Sequence, residues 1–136
     1  MIERYQYPEI EKIWNDQNKF DTWKLVEQKY LETLEENNIS PGGIAKVIEK
    51  TEVLKDEVYE REKITNHDLA SFVDILQSKV GDNSNWIHYG LTSSDVVDTA
   101  NSLLIKQSLS ITIDLLDELL IPVSYTHLTL PTIMPV

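Results

Sequence analysis

The sequence predicts an all-α fold, and three observations carry that expectation. Between Pro8 and about Leu120 apolar residues recur at intervals of three and four, no stretch sustains the alternation of a half-buried strand, and the whole chain holds only four glycines. Phe20, Trp23, Val26, Tyr30 and Leu34 predict the buried stripe of a first long helix, with Asp21, Lys24, Glu27, Gln28, Glu32 and Glu35 left to solvent. That helix is expected to end near Asn37-Asn38. Ser40-Pro41 sets up the next start, proline being suited to a first helical position, and Ile44, Val47 and Ile48 make a short amphipathic helix despite Gly42-Gly43. A charged segment follows from about Val53 to Lys63. Asn66 is the expected N-cap of a helix whose stripe is Leu69, Phe72, Val73, Leu76 and Val80, which puts His67 in its first turn and Asp68 at the positive end of its dipole.

Gly81-Asp82-Asn83-Ser84-Asn85 is a loop by composition. Beyond it, Ser93 or Ser94 is expected to cap a helix with apolar positions Val96, Val97, Ala100, Leu103, Leu104, Ile111, Leu115 and Leu119, a rod of about 40 Å at the usual rise per residue. The shorter helices cannot cover such a rod, so one flank should be exposed apolar surface. From Pro122 to Val136 there are three prolines and no charged side chain, and the helix is expected to stop at Ile121. Three parts are therefore expected: a helical domain over residues 1–93, a long helix over 94–121, which the resemblance given below makes the start of a helical bundle, and a disordered or non-native tail over 122–136.

Composition narrows the function. Acids outnumber bases 23 to 12, for a net charge of −11, so the chain's own field opposes nucleic acid and anionic membranes as partners. There is no cysteine, which excludes disulfides and thiolate metal sites. No apolar region follows Met1-Ile2-Glu3-Arg4, and no run approaches the roughly 18 residues of a membrane span. The histidines, His67, His88 and His127, have neither the i, i+4 spacing nor the H-E-x-x-H context of a metal site, so no metal is expected. Signatures of phosphate-binding loops, dinucleotide folds and hydrolase elbows do not occur.

The most informative segment is Trp86-Ile87-His88-Tyr89-Gly90-Leu91-Thr92-Ser93-Ser94-Asp95. It sets three hydroxyls and unpaired backbone N–H groups at a helix start, which suits a carboxylate or phosphate; standing alone, it reads better as ordinary capping. An imidazole can give or take a proton, so His67 could act as acid or base, though a lone histidine of this kind is commonly a surface residue. His88, between Trp86, Ile87 and Tyr89, reads in isolation better as a partly buried, hydrogen-bonded side chain. Arg4 and Tyr5 could clamp a phosphate through guanidinium and phenol. Trp14, Phe20, Trp23 and Tyr30 fit a core better than a stacking platform.

Taken in order, Ile2-Glu3-Arg4-Tyr5, Pro8-Glu9-Ile10, Ile13-Trp14, Thr65-Asn66-His67-Asp68 and the block from Trp86 to Thr99 resemble the N-terminal portion of a bacterial adenylosuccinate lyase, of the fumarase and aspartase superfamily. The resemblance covers about residues 1–120 and stops at the tail. It implies the superfamily's N-terminal helical domain plus the first long helix of its central bundle, a soluble cytoplasmic homotetramer, and cleavage of adenylosuccinate and of the succinylcarboxamide ribotide SAICAR to fumarate and an amine. No cofactor is implied. It further implies that Arg4 and Tyr5 contact the nucleotide phosphate, that Asn66, His67 and Asp68 form a second substrate-binding block, and that Thr92 and Ser93 hold the succinyl carboxylates. His88 would lie close to substrate and His67 would orient or protonate the leaving group; both are the candidate catalytic residues. Asn66 departs from the family, which usually has arginine there. The family's T-H-G-x-H-A-like block and its catalytic serine loop do not occur in these 136 residues, and His127 receives no role. Two alternatives stand beside this reading: another superfamily lyase, of argininosuccinate or fumarate type, or a non-catalytic helical interaction module.

Overall fold

The computed structural model describes residues 6–128, and six α-helices make up its framework. They are α1 (Pro8–Ile13), α2 (Asp16–Glu36), α3 (Ile44–Lys50), α4 (Lys55–Thr65), α5 (Asp68–Val80) and α6 (Ser93–Leu128), with one 3₁₀ turn at Ser84–Trp86. No strand occurs among the described residues, as the spacing of apolar residues predicts.

Helix α2 packs against α1, α3, α4 and α6, while α5 lies against α3, α4 and α6. The centre of the core is aromatic. Phe20 and Trp23 on α2 meet Phe72 on α5, with ring centroids 6.1 and 5.6 Å away, and Tyr59 of α4 approaches Phe20 at 5.7 Å. Around these rings Leu31, Ile48, Val58, Leu69, Leu76, Ile87, Val96 and Ala100 are wholly or almost wholly buried. The start of α6 thus shares one core with the helices before it.

The buried stripe of α2 is rotated from the expected one. Phe20, Trp23, Leu31 and Leu34 are buried, but so are Glu27 and Gln28, whereas Val26 and Tyr30 are only half-buried. The reason is that α2 is covered on two flanks, by α3 and by α6, so the helix sinks deeper than a single apolar stripe suggests. Trp14 is not in the core: it is 47% exposed, and its indole N–H donates to Ser108 Oγ at 2.8 Å, tying the end of α1 to α6.

Helix ends also differ from expectation. Pro41 does not open α3; Gly43, at φ +98°, is the N-cap, a conformation that costs glycine nothing and any other residue strain. Asn66 is the C-cap of α4, at φ +52°, and not the N-cap of α5, a left-handed position that asparagine tolerates well. The N-cap of α5 is His67. Helix α6 begins at Ser93, so Thr92 precedes it, and the Thr92 N–H and hydroxyl both donate to Asp95 at 2.7 and 3.1 Å. This clasp stabilises the first turn in the manner of a capping box.

The expected stop at Ile121 is corrected as well: α6 continues through Pro122 to Leu128. Proline removes one N–H from a helix, but by then every residue is exposed and its neighbours can retain helical dihedrals. Residues 129–136, the remainder of the expected tail, lie outside the described residues, as do Arg4 and Tyr5. Ile105, Leu109, Ile113, Leu116 and Leu120 are about half exposed or more, so the expected apolar flank of α6 is present.

These contrasts predict unequal responses to truncation. Phe72→Ala is expected to cost about 3–5 kcal/mol, since it removes a ring from the packed aromatic centre. Leu116→Ala should change stability by about 0.5 kcal/mol or less, because its side chain already faces solvent. Urea denaturation of both variants checks the ranking, and equal losses would contradict the burial described.

Candidate active site

Three of the sequence-predicted site residues converge on one cleft of about 190 Å³, lined by His67, His88 and Ser93 together with Leu69, Ala70, Val73 and Asp74. His67 comes from the start of α5, Ser93 from the start of α6, and His88 from the segment between the 3₁₀ turn and α6. His67 Nε2 and Ser93 Oγ stand 3.5 Å apart although 26 residues separate them.

The local fold orients His67 through its backbone role. As N-cap it accepts the Ala70 N–H at Nδ1, 3.3 Å, and its carbonyl accepts the Ser71 hydroxyl at 2.7 Å. An N-cap side chain must be an acceptor, so in the neutral ring the proton sits on Nε2, the nitrogen next to Ser93. Asp68 Oδ1 lies 3.7 Å from His67 Nδ1, and Asp68 Oδ2 pairs with Lys19 of α2 at 3.3 Å. Lys19 is itself seated over the Trp23 ring, 4.5 Å from its centroid, so an aromatic core residue helps to place the start of α5.

His88 is held differently. Its φ of +61° lies in the left-handed region, unusual for a residue with a side chain. The backbone N–H donates to Glu27 Oε2 at 3.0 Å, and the ring nitrogen Nδ1 lies 2.6 Å from Glu27 Oε1. One residue on, the Tyr89 carbonyl accepts the Tyr30 hydroxyl at 3.0 Å. Glu27 is completely buried, and burial raises its pKa above the ordinary 4.5, opposed by the hydrogen bonds and charge of His88.

The remaining predicted residues are placed less directly. Thr92 adjoins Ser93, but its hydroxyl is engaged by Asp95, whose carboxyl is held below its ordinary value of 3.8 by the two Thr92 hydrogen bonds. Asn66 adjoins His67 and serves to end α4. Among the described residues no group of His, Asp and Glu side chains is arranged to hold a metal ion, and no helix is long and apolar enough to cross a membrane.

Glu27 is the site residue that sequence reasoning missed. The signal was present: Phe20, Trp23, Leu31 and Leu34 continue by steps of three and four through position 27, so a carboxylate falls inside an otherwise apolar stripe. A buried acid in that register calls for a partner, and only the fold shows it to be His88.

The known proteins similar to this chain are lyases by name. Over 109 residues the chain is 41% identical to adenylosuccinate lyase of Bacillus subtilis (strain 168), a match spanning 79% of this chain and 25% of that protein. Over 119 residues it is 36% identical to adenylosuccinate lyase of Thermotoga maritima, spanning 87% of this chain and 28% of the other. By sequence the chain is a relative of these adenylosuccinate lyases. It spans about a quarter of the length of these relatives. No protein-family profile matches the chain. The crystal structure of a fumarate lyase from Mesorhizobium sp. BNC1 shares the fold at a TM-score of 0.71 and 17% identity, over 77% of this chain and 26% of that one. The all-α architecture is thus shared with that fumarate lyase, and the sequence relatives above are themselves lyases by name.

Burial of Glu27 has a consequence for stability. Its folded-state pKa is raised, so in the window just above 4.5 the native state holds a proton that the unfolded chain has released. The stabilisation is full below 4.5 and is lost as pH rises through the folded-state value. Glu27→Gln removes the titration, and its stability relative to the parent should therefore improve as pH climbs across that window. Urea midpoints measured over a pH series check this; a constant difference between the two proteins would contradict it.

Proposed function

We propose that this chain supplies part of the active site of an adenylosuccinate lyase, which eliminates fumarate from adenylosuccinate to leave AMP and from SAICAR to leave AICAR. The observation that carries the reading is the meeting of His67, His88 and Ser93 at one cleft, from three separate segments that resemble the family's substrate-binding blocks. A β-elimination of this kind needs a base for the proton beside a carboxylate, an acid for the departing nitrogen and fixed donors for the anionic groups. His67, with Nε2–H toward the cleft, is suited to orient or protonate the leaving nitrogen. Ser93, at the positive start of α6, is suited to a succinyl carboxylate, while Thr92 would take part only by exchanging its hydroxyl bond to Asp95 for one to the substrate. Asp68 and Asn66 flank His67 in the same block, Arg4 and Tyr5 would take the phosphate, and His88 would lie beside the substrate. No cofactor enters this chemistry. We further propose, on the family resemblance, a cytoplasmic homotetramer as the working assembly.

The 136-residue chain by itself is expected to release no fumarate above the uncatalysed rate, because groups that act as a unit fail together and these residues do not contain the family's other catalytic blocks. Measurable turnover by the purified chain would overturn this. In a chimaera completed with the rest of a relative's sequence, Ser93→Ala should weaken substrate binding by about 1.5–3 kcal/mol, as expected for a donor to a charged group. His67→Ala should lower turnover by about 100-fold or more. Arg4→Ala should act chiefly on the Michaelis constant, since a phosphate is bound alike in ground and transition states. If all three left both constants within about twofold, the assignment would fall and capping and solvated-surface roles would stand.

A further inference from the structure

Glu27 has no role in the chemistry above, yet among the described residues it is the one carboxylate with no exposure, on the same face of α2 as the buried Trp23 and Leu31, and such burial is costly. Both of its oxygens are directed at one residue. Oε2 faces the His88 backbone N–H, which can only donate, and Oε1 faces His88 Nδ1 at 2.6 Å. The first bond holds the main chain of His88 at its positive φ, and the second fixes the ring about its side-chain torsions. With an ionised carboxylate at Oε1, the ring proton must sit on Nδ1. Nε2 is then the ring nitrogen left to the cleft that His88 lines, and it carries a lone pair.

His67 is held the opposite way. The Ala70 N–H occupies its Nδ1 lone pair, so its Nε2 carries the proton, 3.5 Å from Ser93 Oγ. Two histidines on one cleft are therefore locked as different tautomers by different devices, a helix N-cap for one and a buried carboxylate for the other.

We propose that Glu27 is a positioning residue whose buried carboxylate fixes His88 as the Nδ1–H tautomer, so that His88 offers an acceptor nitrogen to the cleft where His67 offers a donor. The catalytic meaning of this pairing rests on the lyase reading; the tautomers themselves do not. An acceptor and a donor on opposite nitrogens let the two rings engage different atoms of one bound molecule, and neither ring can substitute for the other without breaking its own structural bond. Glu27 thus acts through His88 and need not touch the substrate.

The test is long-range ¹H–¹⁵N NMR of the imidazoles in the 136-residue chain, without substrate and at a pH above the titration of both rings. His88 is expected to show a protonated Nδ1 and a bare Nε2, and His67 the reverse. In Glu27→Gln one oxygen is replaced by an amide donor that cannot accept from His88, so the His88 tautomer should become mixed or inverted while that of His67 is unchanged. Glu27→Asp, which keeps the charge on a shorter arm, should restore at least part of the parent's preference. An Nε2–H tautomer at His88 in the parent would overturn the proposal, and that reading does not depend on any variant folding. Retention of the parent's tautomer in folded Glu27→Gln would overturn it equally. Because no substrate is present, failure of the lyase assignment in the chimaera leaves this result untouched, and the converse also holds.

Discussion

The contact between the buried carboxylate of Glu27 and His88 is the constraint on which the site's geometry depends. A carboxylate with no exposure is tolerable only if hydrogen-bond donors replace its lost water, and here both donors belong to a single residue 61 positions later in the chain. Neither partner is independently satisfied. If His88 left its left-handed backbone conformation, Glu27 would be buried without a donor to either oxygen; if α2 rotated, His88 would lose the bond that holds that conformation. The Tyr30 hydroxyl, one turn along α2, secures the Tyr89 carbonyl and so doubles the attachment. The register of α2 therefore sets the path of residues 87–92, and that path sets where α6 begins.

A second consequence is that the site is built from helix ends, where capping and chemistry compete for the same polar groups. His67 spends Nδ1 on the first turn of α5 and keeps Nε2 for the cleft. Thr92 spends its hydroxyl on Asp95, while Ser93 faces His67. Asp68 is divided between Lys19 and the Leu69 N–H, its 2.7 Å contact there stiffening the start of α5. In each case the structural bond occupies one atom of the residue and leaves another in a known orientation. Capping and function are thus not alternatives for these residues: the cap is what aims the remaining atom.

The long helix shows the opposite balance. Its first turns supply Val96, Ala100 and Leu104 to the core, but past Ile111 every described side chain is exposed, many of them leucine or isoleucine. Nothing in the first five helices can reach that far, since a helix of this length outruns a core made from pieces of 6 to 21 residues. An apolar rod of this kind is stable in isolation only to the extent that helix propensity and its anchored end sustain it.

Much of this was legible in the residues themselves. The period of three and four determined the all-α class, the glycine- and asparagine-rich breaks determined where helices stop, and the block from Trp86 to Asp95 together with His67 marked the site. Those features are local, because a helix's dihedrals, caps and apolar stripe are set within a few turns of chain. The depth to which α2 sinks, the choice of His67 over Asn66 as the cap of α5, and the burial of Glu27 were decided only by tertiary structure. Each depends on which surfaces press on a helix from elsewhere in the chain: α3 and α6 on the two flanks of α2, and His88 on the one carboxylate that an apolar stripe would otherwise exclude. A sequence period records that a face is buried, but not how many neighbours bury it, and it is the second neighbour that turns a solvent-facing glutamate into the residue that holds the site together.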